Sequence, residues 1–136
     1  ATAKGARVLI GAKAPTGKGF FYPATVLTAV PDNAAMVREE IFGPVAAIQT
    51  FKTEDEAVQR ANDTEYGLVA YVYTQDLSRG MRVSEKLDFG MIGLNRGLVS
   101  DPAAPFGGMK QSGLGREGAH EGLMEFLETQ YVSVNW

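Results

Sequence analysis

The pattern of apolar and polar residues predicts strands and helices in regular alternation from residue 45 onward. Residues 45–51 and 91–95 are largely apolar segments of strand length. A further run, residues 68–74, has almost no polar face, which is typical of a strand covered on both sides. Because segments with helical spacing separate these runs, we predict an α/β fold with a largely parallel sheet and flanking helices.

Two of the predicted helices have clear start signals. Thr53 followed three residues later by Glu56 is a capping-box pattern, which predicts a helix over residues 54–62. Asp76 is placed to cap a second helix that stops at Gly90. One face of that second helix is expected to carry Leu77, Met81 and Ser84.

The two ends of the chain are less regular. In residues 20–30, Pro23 indicates an edge strand or an extended segment rather than a central strand. Residues 33–44 are expected to be partly helical up to a break at Gly43-Pro44. Near the other end we predict a third helix, from residue 117 to about 127, and a closing strand at residues 131–135. The third helix is expected to bury Leu123, Phe126 and Leu127.

The composition excludes several classes of function. The 136 residues include no Cys and a single His, so this chain supplies no disulfide, no thiolate zinc site and no cysteine nucleophile, and we predict no metal site. A net charge of −3 argues against a surface for nucleic acid or for an anionic membrane. No apolar run approaches the roughly 20 residues of a membrane span. A cytoplasmic location is the default expectation for an acidic chain of this kind.

A glycine-rich segment matches a dinucleotide-binding pattern by spacing alone. Residues 113–118 have the form G-x-G-x-x-G, but they follow a polar tripeptide rather than a strand. No acidic residue lies about 20 positions further on, where the pattern requires a partner for the ribose. A tight turn before a helix is therefore the better interpretation of these glycines.

Two other segments are poorly explained as core, namely residues 39–45 (EEIFGPV) and residues 95–116. In the first, Glu40 is a carboxylate able to accept hydrogen bonds from both hydroxyls of a ribose, and Phe42 offers a ring for a flat heterocycle. Taken singly, each residue has a simpler interpretation: a solvated helix end for Glu40 and a core position for Phe42.

These segments resemble the C-terminal part of the NAD(P)-dependent aldehyde dehydrogenases. The resemblance rests on EEIFGPV, on Tyr66-Gly67, on Asn95 and on residues 105–117 (PFGGMKQSGLGRE). Residues 91–118 are most similar to the succinate-semialdehyde dehydrogenases. The resemblance implies binding of NAD or NADP in the complete enzyme, oxidation of succinic semialdehyde to succinate, and the fold of the C-terminal part of that catalytic domain.

The resemblance also assigns residues to roles. Glu40 matches the residue that binds the nicotinamide ribose, and Phe42 matches the one that packs near the nicotinamide ring. Ser100 matches a serine that helps to bind the distal carboxylate of the substrate, and Phe106 matches an aromatic wall of the aldehyde pocket. Arg96 departs from the family pattern. It either adds positive charge near Ser100 or points into solvent, and the sequence favours neither.

The family places its cysteine nucleophile, its general base and its cofactor domain upstream of the segment matched here. We therefore expect a fragment that is inactive alone. Residues 1–130 would form a partial catalytic domain, and residues 131–136 a strand that joins subunits of a homo-oligomer. Two alternatives stay open: a non-catalytic assembly module, and a fragment of an enzyme for a different aldehyde or semialdehyde.

Overall fold

A computed structural model describes residues 1–136. The chain forms two compact units, Ala1–Thr53 and Glu54–Trp136, each with its own strands and helices. The predicted α/β class is confirmed, and the strands are divided among three small sheets. No helix has the length and apolar composition needed to cross a membrane.

The first unit is built on a three-stranded sheet. Its strands are β1 (Arg7–Ile10), β2 (Thr25–Thr28) and β3 (Val45–Ala47), with β2 in the centre, antiparallel to β1 and parallel to β3. The prediction of an edge strand or an extended segment was wrong for β2, which is central, whereas residues 20–24 belong to no strand. Pro23 precedes β2, so its missing N–H does not interrupt the hydrogen bonds on either side. The small core of this unit consists of Ala6, Leu27, Val30 and Ala34.

A single helical turn, α1 (Ala35–Arg38), precedes β3. Glu39 leaves the turn in an extended conformation, with φ −108° and ψ 144°. The helix therefore ends before the predicted break at Gly43-Pro44, and residues 39–44 have no helical structure.

The second unit contains the remaining elements. They are α2 (Glu54–Asn62), β4 (Tyr66–Gly67), β5 (Val69–Val72), α3 (Leu77–Lys86), β6 (Met91–Leu94), β7 (Met109–Lys110) and α4 (Ala119–Met124). Strands β5 and β6 pair in parallel, and β4 and β7 pair antiparallel. The predicted bounds of α2 are confirmed.

Helix α3 begins as predicted and ends earlier than predicted. The Asp76 carboxylate accepts a hydrogen bond from the backbone N–H of Arg79, which confirms the cap. At the other end, the Asn62 side chain donates to the carbonyl of Lys86 and accepts from the N–H of Asp88. Because this amide satisfies the helix end, α3 stops at Lys86, and Gly90 is not its terminator.

Helices α2 and α3 are joined by an ion-pair cluster. The Arg82 guanidinium donates two hydrogen bonds to the Glu54 carboxylate, at 2.8 and 2.7 Å, and Lys86 lies 3.0 Å from Asp55. The hydrogen bond from Arg82 lowers the pKa of Glu54 below its ordinary value, and the same contact raises the pKa of Arg82.

The prediction for the C-terminal region was wrong in two respects. Helix α4 is six residues long, and the side chains expected to be buried are exposed: Leu123, Phe126 and Leu127. The buried residue of α4 is Gly122, which packs on the backbone of Glu117. Residues 131–135 form no strand within this chain, and the strand that would join a neighbouring subunit stays a prediction.

Candidate functional site

The residues predicted to bind the cofactor lie in the first unit, after α1. Glu40 and Phe42 are both exposed, whereas Ile41 between them is half-buried. The Phe42 ring has a relative exposure of 92%, and no side chain in the structure forms an ion pair or hydrogen bond with Glu40. The structure thus excludes a core position for Phe42. A free carboxylate and an uncovered ring two residues apart are thus both accessible to a ligand.

This presentation follows from the local sequence. The helix stops at Arg38, and Glu39 already has an extended conformation. The carbonyl of Pro44 then accepts a hydrogen bond from the N–H of Thr25, which fixes the end of the segment next to β2. The segment that carries Glu40 and Phe42 is therefore held at both ends.

The residues predicted to bind the substrate lie in the second unit. Phe106 is half-buried and exchanges backbone hydrogen bonds with Glu117, as an isolated antiparallel bridge. Ser100 is exposed in the loop that follows β6. A cavity of about 270 Å³ lies beside this loop. Its lining residues include Arg96, Val99, Asp101, Pro105 and Phe106.

Close backbone packing explains the glycines of the motif at residues 105–116. A Cβ atom on Gly107 would lie 2.6 Å from the carbonyl oxygen of Gly115, and one on Gly108 would lie 2.5 Å from the Cβ of Ser112. Only glycine fits these positions without a shift of the neighbouring backbone. The motif is therefore a tightly folded loop that contains the two-residue strand β7, and α4 begins directly after Gly118.

The Arg116 side chain lies inside this loop. Its guanidinium donates hydrogen bonds to the carbonyls of Gly108 and Gly115, at 2.8 and 2.7 Å. Its backbone N–H donates to the carboxylate of Glu125 at 3.2 Å. Arg116 thus positions the loop that carries Phe106. No role was predicted for Arg116, because both carbonyls that its guanidinium binds belong to the backbone.

The start of the loop that follows β6 is fixed by Asn95. This residue has a positive φ of 53° and ends β6. Its side-chain amide accepts from the N–H of Thr74 and donates to the carbonyl of Thr74, both at 2.9 Å. Asn tolerates this left-handed conformation better than most residues. Asn95 was identified by resemblance, and its structural role as a clamp was not predicted.

A family model described as the aldehyde dehydrogenase family matches residues 1–132. The chain belongs to the aldehyde dehydrogenase family. The match extends over both units, so the resemblance seen in the sequence motifs is confirmed.

Curated relatives extend this finding. The chain is 53% identical to a succinate-semialdehyde dehydrogenase of Paenarthrobacter nicotinovorans over 96% of this chain and 29% of that protein. It is 50% identical to the NADP(+) succinate-semialdehyde dehydrogenase of Escherichia coli over 96% of this chain and 27% of that protein. A glutarate-semialdehyde dehydrogenase of Pseudomonas putida is 48% identical over 99% of this chain and 28% of that protein. The chain thus spans just over a quarter of the length of each of these relatives.

Solved structures share the fold. A succinate-semialdehyde dehydrogenase from Burkholderia pseudomallei superposes with a TM-score of 0.85 at 50% identity, over 92% of this chain and 26% of that one. Betaine aldehyde dehydrogenase of Staphylococcus aureus, solved in complex with NAD+, superposes with a TM-score of 0.84 at 41% identity. That comparison also covers 92% of this chain and 26% of the other.

Proposed function

We propose that this chain is part of an NAD(P)+-dependent dehydrogenase that oxidises succinic semialdehyde to succinate. The observation that carries the proposal is the 53% identity to a succinate-semialdehyde dehydrogenase over 96% of this chain. We use "the whole enzyme" for the longer polypeptide, of aldehyde dehydrogenase length, in which the chain would act.

The first unit would contribute to the cofactor site. The Glu40 carboxylate would accept hydrogen bonds from the ribose hydroxyls, and the exposed Phe42 ring would pack near the nicotinamide. When bound, the nicotinamide supplies the hydride acceptor for aldehyde oxidation. An NADP(+) enzyme and an NAD+ complex both occur among the similar proteins, so we propose NAD or NADP as the cofactor.

The second unit would contribute to the substrate site. Phe106 would form an aromatic wall beside the aldehyde, held in place by its two backbone hydrogen bonds to Glu117. The exposed Ser100 hydroxyl would donate a hydrogen bond to the distal carboxylate of the substrate. In these roles Phe106 and Ser100 would orient the substrate, and other groups would perform the covalent chemistry.

The covalent chemistry needs residues that this chain does not have. Aldehyde dehydrogenases attack the aldehyde with a cysteine thiolate, and the chain contains no Cys. We therefore propose that the isolated 136-residue chain is inactive and that the rest of the whole enzyme supplies the nucleophile and the general base. Residues 131–136 would pair with a neighbouring subunit in a homo-oligomer, and the enzyme would be cytoplasmic.

A dehydrogenase assay with two proteins tests this proposal. The whole enzyme should reduce NAD+ or NADP+ in the presence of succinic semialdehyde, followed by absorbance of the reduced cofactor. The isolated chain, with its mass verified, should give no turnover. Turnover by the isolated chain would contradict the role of an external cysteine. Lack of turnover by the whole enzyme with any aldehyde would contradict the proposed activity.

A second candidate substrate is glutaric semialdehyde, because a glutarate-semialdehyde dehydrogenase is 48% identical over 99% of this chain. Both substrates carry a distal carboxylate, and they differ by one methylene. The ratio of their kcat/KM values in the whole enzyme identifies the preferred one. Equal values for these semialdehydes and for an aldehyde without a carboxylate would favour a different aldehyde as substrate.

The non-catalytic alternative has its own test. An assembly module should associate through its C-terminal segment, whose Tyr131, Val132, Val134 and Trp136 are exposed. Light scattering after size exclusion would show oligomers of the isolated chain that dissociate when residues 131–136 are removed. A chain that stays monomeric in both forms would contradict the module.

A further inference from the structure

Arg96 has a guanidinium without a partner. In the structure it forms neither an ion pair nor a hydrogen bond through its side chain, although its sequence neighbours are tightly held. The backbone carbonyl of Arg96 accepts a hydrogen bond from the Tyr73 hydroxyl at 2.9 Å, and Asn95 is bound on both sides to Thr74. The Arg96 backbone is therefore fixed while its cationic group is free to bind a ligand.

Arg96 and Phe106 both line the same cavity. Arg96 is the only cation among the lining residues. Asp101, the only anion, has its carboxylate engaged in the loop, where Oδ1 accepts the N–H of Ala103 at 2.9 Å. Val99 and Asp101, on either side of Ser100, line the same cavity. An unpaired cation thus shares one pocket with the proposed aromatic wall.

Guanidinium chemistry indicates which ligand suits this position. Arg presents a planar fork of N–H donors that matches both oxygens of a carboxylate, and such charge-assisted pairs are stronger than neutral hydrogen bonds. We propose that Arg96 is a specificity-determining residue that binds the distal carboxylate of the aldehyde substrate, beside Ser100. This inference rests on the proposed function, because it names a recognition element of the same site.

Two aldehydes and two variants of the whole enzyme test the role of Arg96. Succinic semialdehyde and butanal have four carbons each, and only the first has a carboxylate. In Arg96→Met the ratio of kcat/KM for succinic semialdehyde to that for butanal should fall about tenfold or more, mainly through KM for the semialdehyde. Arg96→Lys keeps the charge without the planar fork, and its ratio should lie between those of the wild type and Arg96→Met.

The control is Arg79→Met, a change of the same type on α3, away from the cavity lining. In this variant the ratio of kcat/KM for succinic semialdehyde to that for butanal should equal the wild-type ratio. A fall of less than threefold in Arg96→Met, or an equal loss for both aldehydes, would overturn the inference. If Arg96→Met is insoluble, the test uses Arg96→Lys. A fall of at least threefold in its ratio of kcat/KM values supports the role of Arg96, and a smaller fall overturns it. A wild-type enzyme that does not prefer the semialdehyde would instead overturn the proposed function.

Discussion

Phe106 and Glu117 exchange two backbone hydrogen bonds, each 2.7 Å long, and so close residues 107–116 into one loop. The Arg116 guanidinium occupies the interior of that loop by binding the carbonyls of Gly108 and Gly115. The position of the Phe106 ring therefore depends on close packing of glycine backbone around an arginine.

Gly107→Ala should destabilise the chain. The new Cβ would lie 2.6 Å from the carbonyl oxygen of Gly115 and 2.8 Å from Cδ of Arg116, so backbone must move. Overpacking of this kind costs about 1–3 kcal/mol of unfolding free energy, measurable by urea denaturation. Gly97→Ala is the control, because its nearest neighbour is the Tyr73 hydroxyl at an ordinary 3.9 Å. Equal stability of the two variants would contradict the close packing.

Stability should fall in acid through Glu54. Because hydrogen bonding to Arg82 lowers the pKa of Glu54 in the folded chain, its contribution is complete above the ordinary carboxyl pKa of 4.5 and is lost as pH falls through the lowered value. Glu54→Gln should therefore be less stable than the wild type near neutral pH, and the difference should shrink below pH 4.5. Urea denaturation at a series of pH values measures both effects.

Glu128→Gln is the matched control for Glu54, since Glu128 is exposed and lies outside the helices. Its pH profile should follow that of the wild type. If Glu54→Gln and Glu128→Gln showed the same pH profile, the ion pair between α2 and α3 would have no role in acid stability.

Glu40→Gln should weaken cofactor binding in the whole enzyme. The amide retains one acceptor and loses the charge, so hydrogen bonds to the ribose hydroxyls become weaker by roughly 1–2 kcal/mol. This corresponds to an increase of about tenfold in KM for NAD+ or NADP+, with KM for the aldehyde little changed. Glu39→Gln is the control, because Glu39 is an adjacent exposed glutamate without an assigned ligand. Similar effects of both changes would argue against a specific contact from Glu40.

Ser100→Ala should reduce the preference of the whole enzyme for carboxylate-bearing aldehydes. Loss of one hydrogen bond to a charged group costs about 1.5–3 kcal/mol, so kcat/KM for succinic semialdehyde should fall at least tenfold, and the value for butanal should stay constant. An unchanged ratio would favour a different aldehyde as the substrate.

Local signals in the sequence predicted local structure well. Helix α2 has its predicted bounds, and Asp76 caps α3, because both features depend on residues within one turn. The end of α3 could not be predicted this way, since its terminator is the amide of Asn62, 24 residues away. The expected burial of Phe126 failed for a related reason. A helical pattern shows which residues share a face, and only the fold shows whether anything covers it.

In the candidate site, too, some features were predicted from the sequence and others depend on contacts that only the structure shows. Glu40, Phe42, Ser100 and Phe106 were assigned from motifs, and the structure supplies their surroundings: an uncovered ring, a free carboxylate, an exposed hydroxyl and a half-buried ring. Arg116 and the clamp formed by Asn95 were missed, because their partners are backbone atoms that a residue pattern cannot specify.

The Asn95 side-chain amide forms the two hydrogen bonds that a further peptide group would form between β5 and β6. Its two hydrogen bonds to Thr74 complete the parallel ladder, while its own backbone turns away with a positive φ. The ladder between β5 and β6 is thereby complete at Asn95, and residues 97–101 contribute no hydrogen bond to it. Under the proposed function, substitutions at residues 97–101 could change the aldehyde preference without loss of a hydrogen bond between β5 and β6.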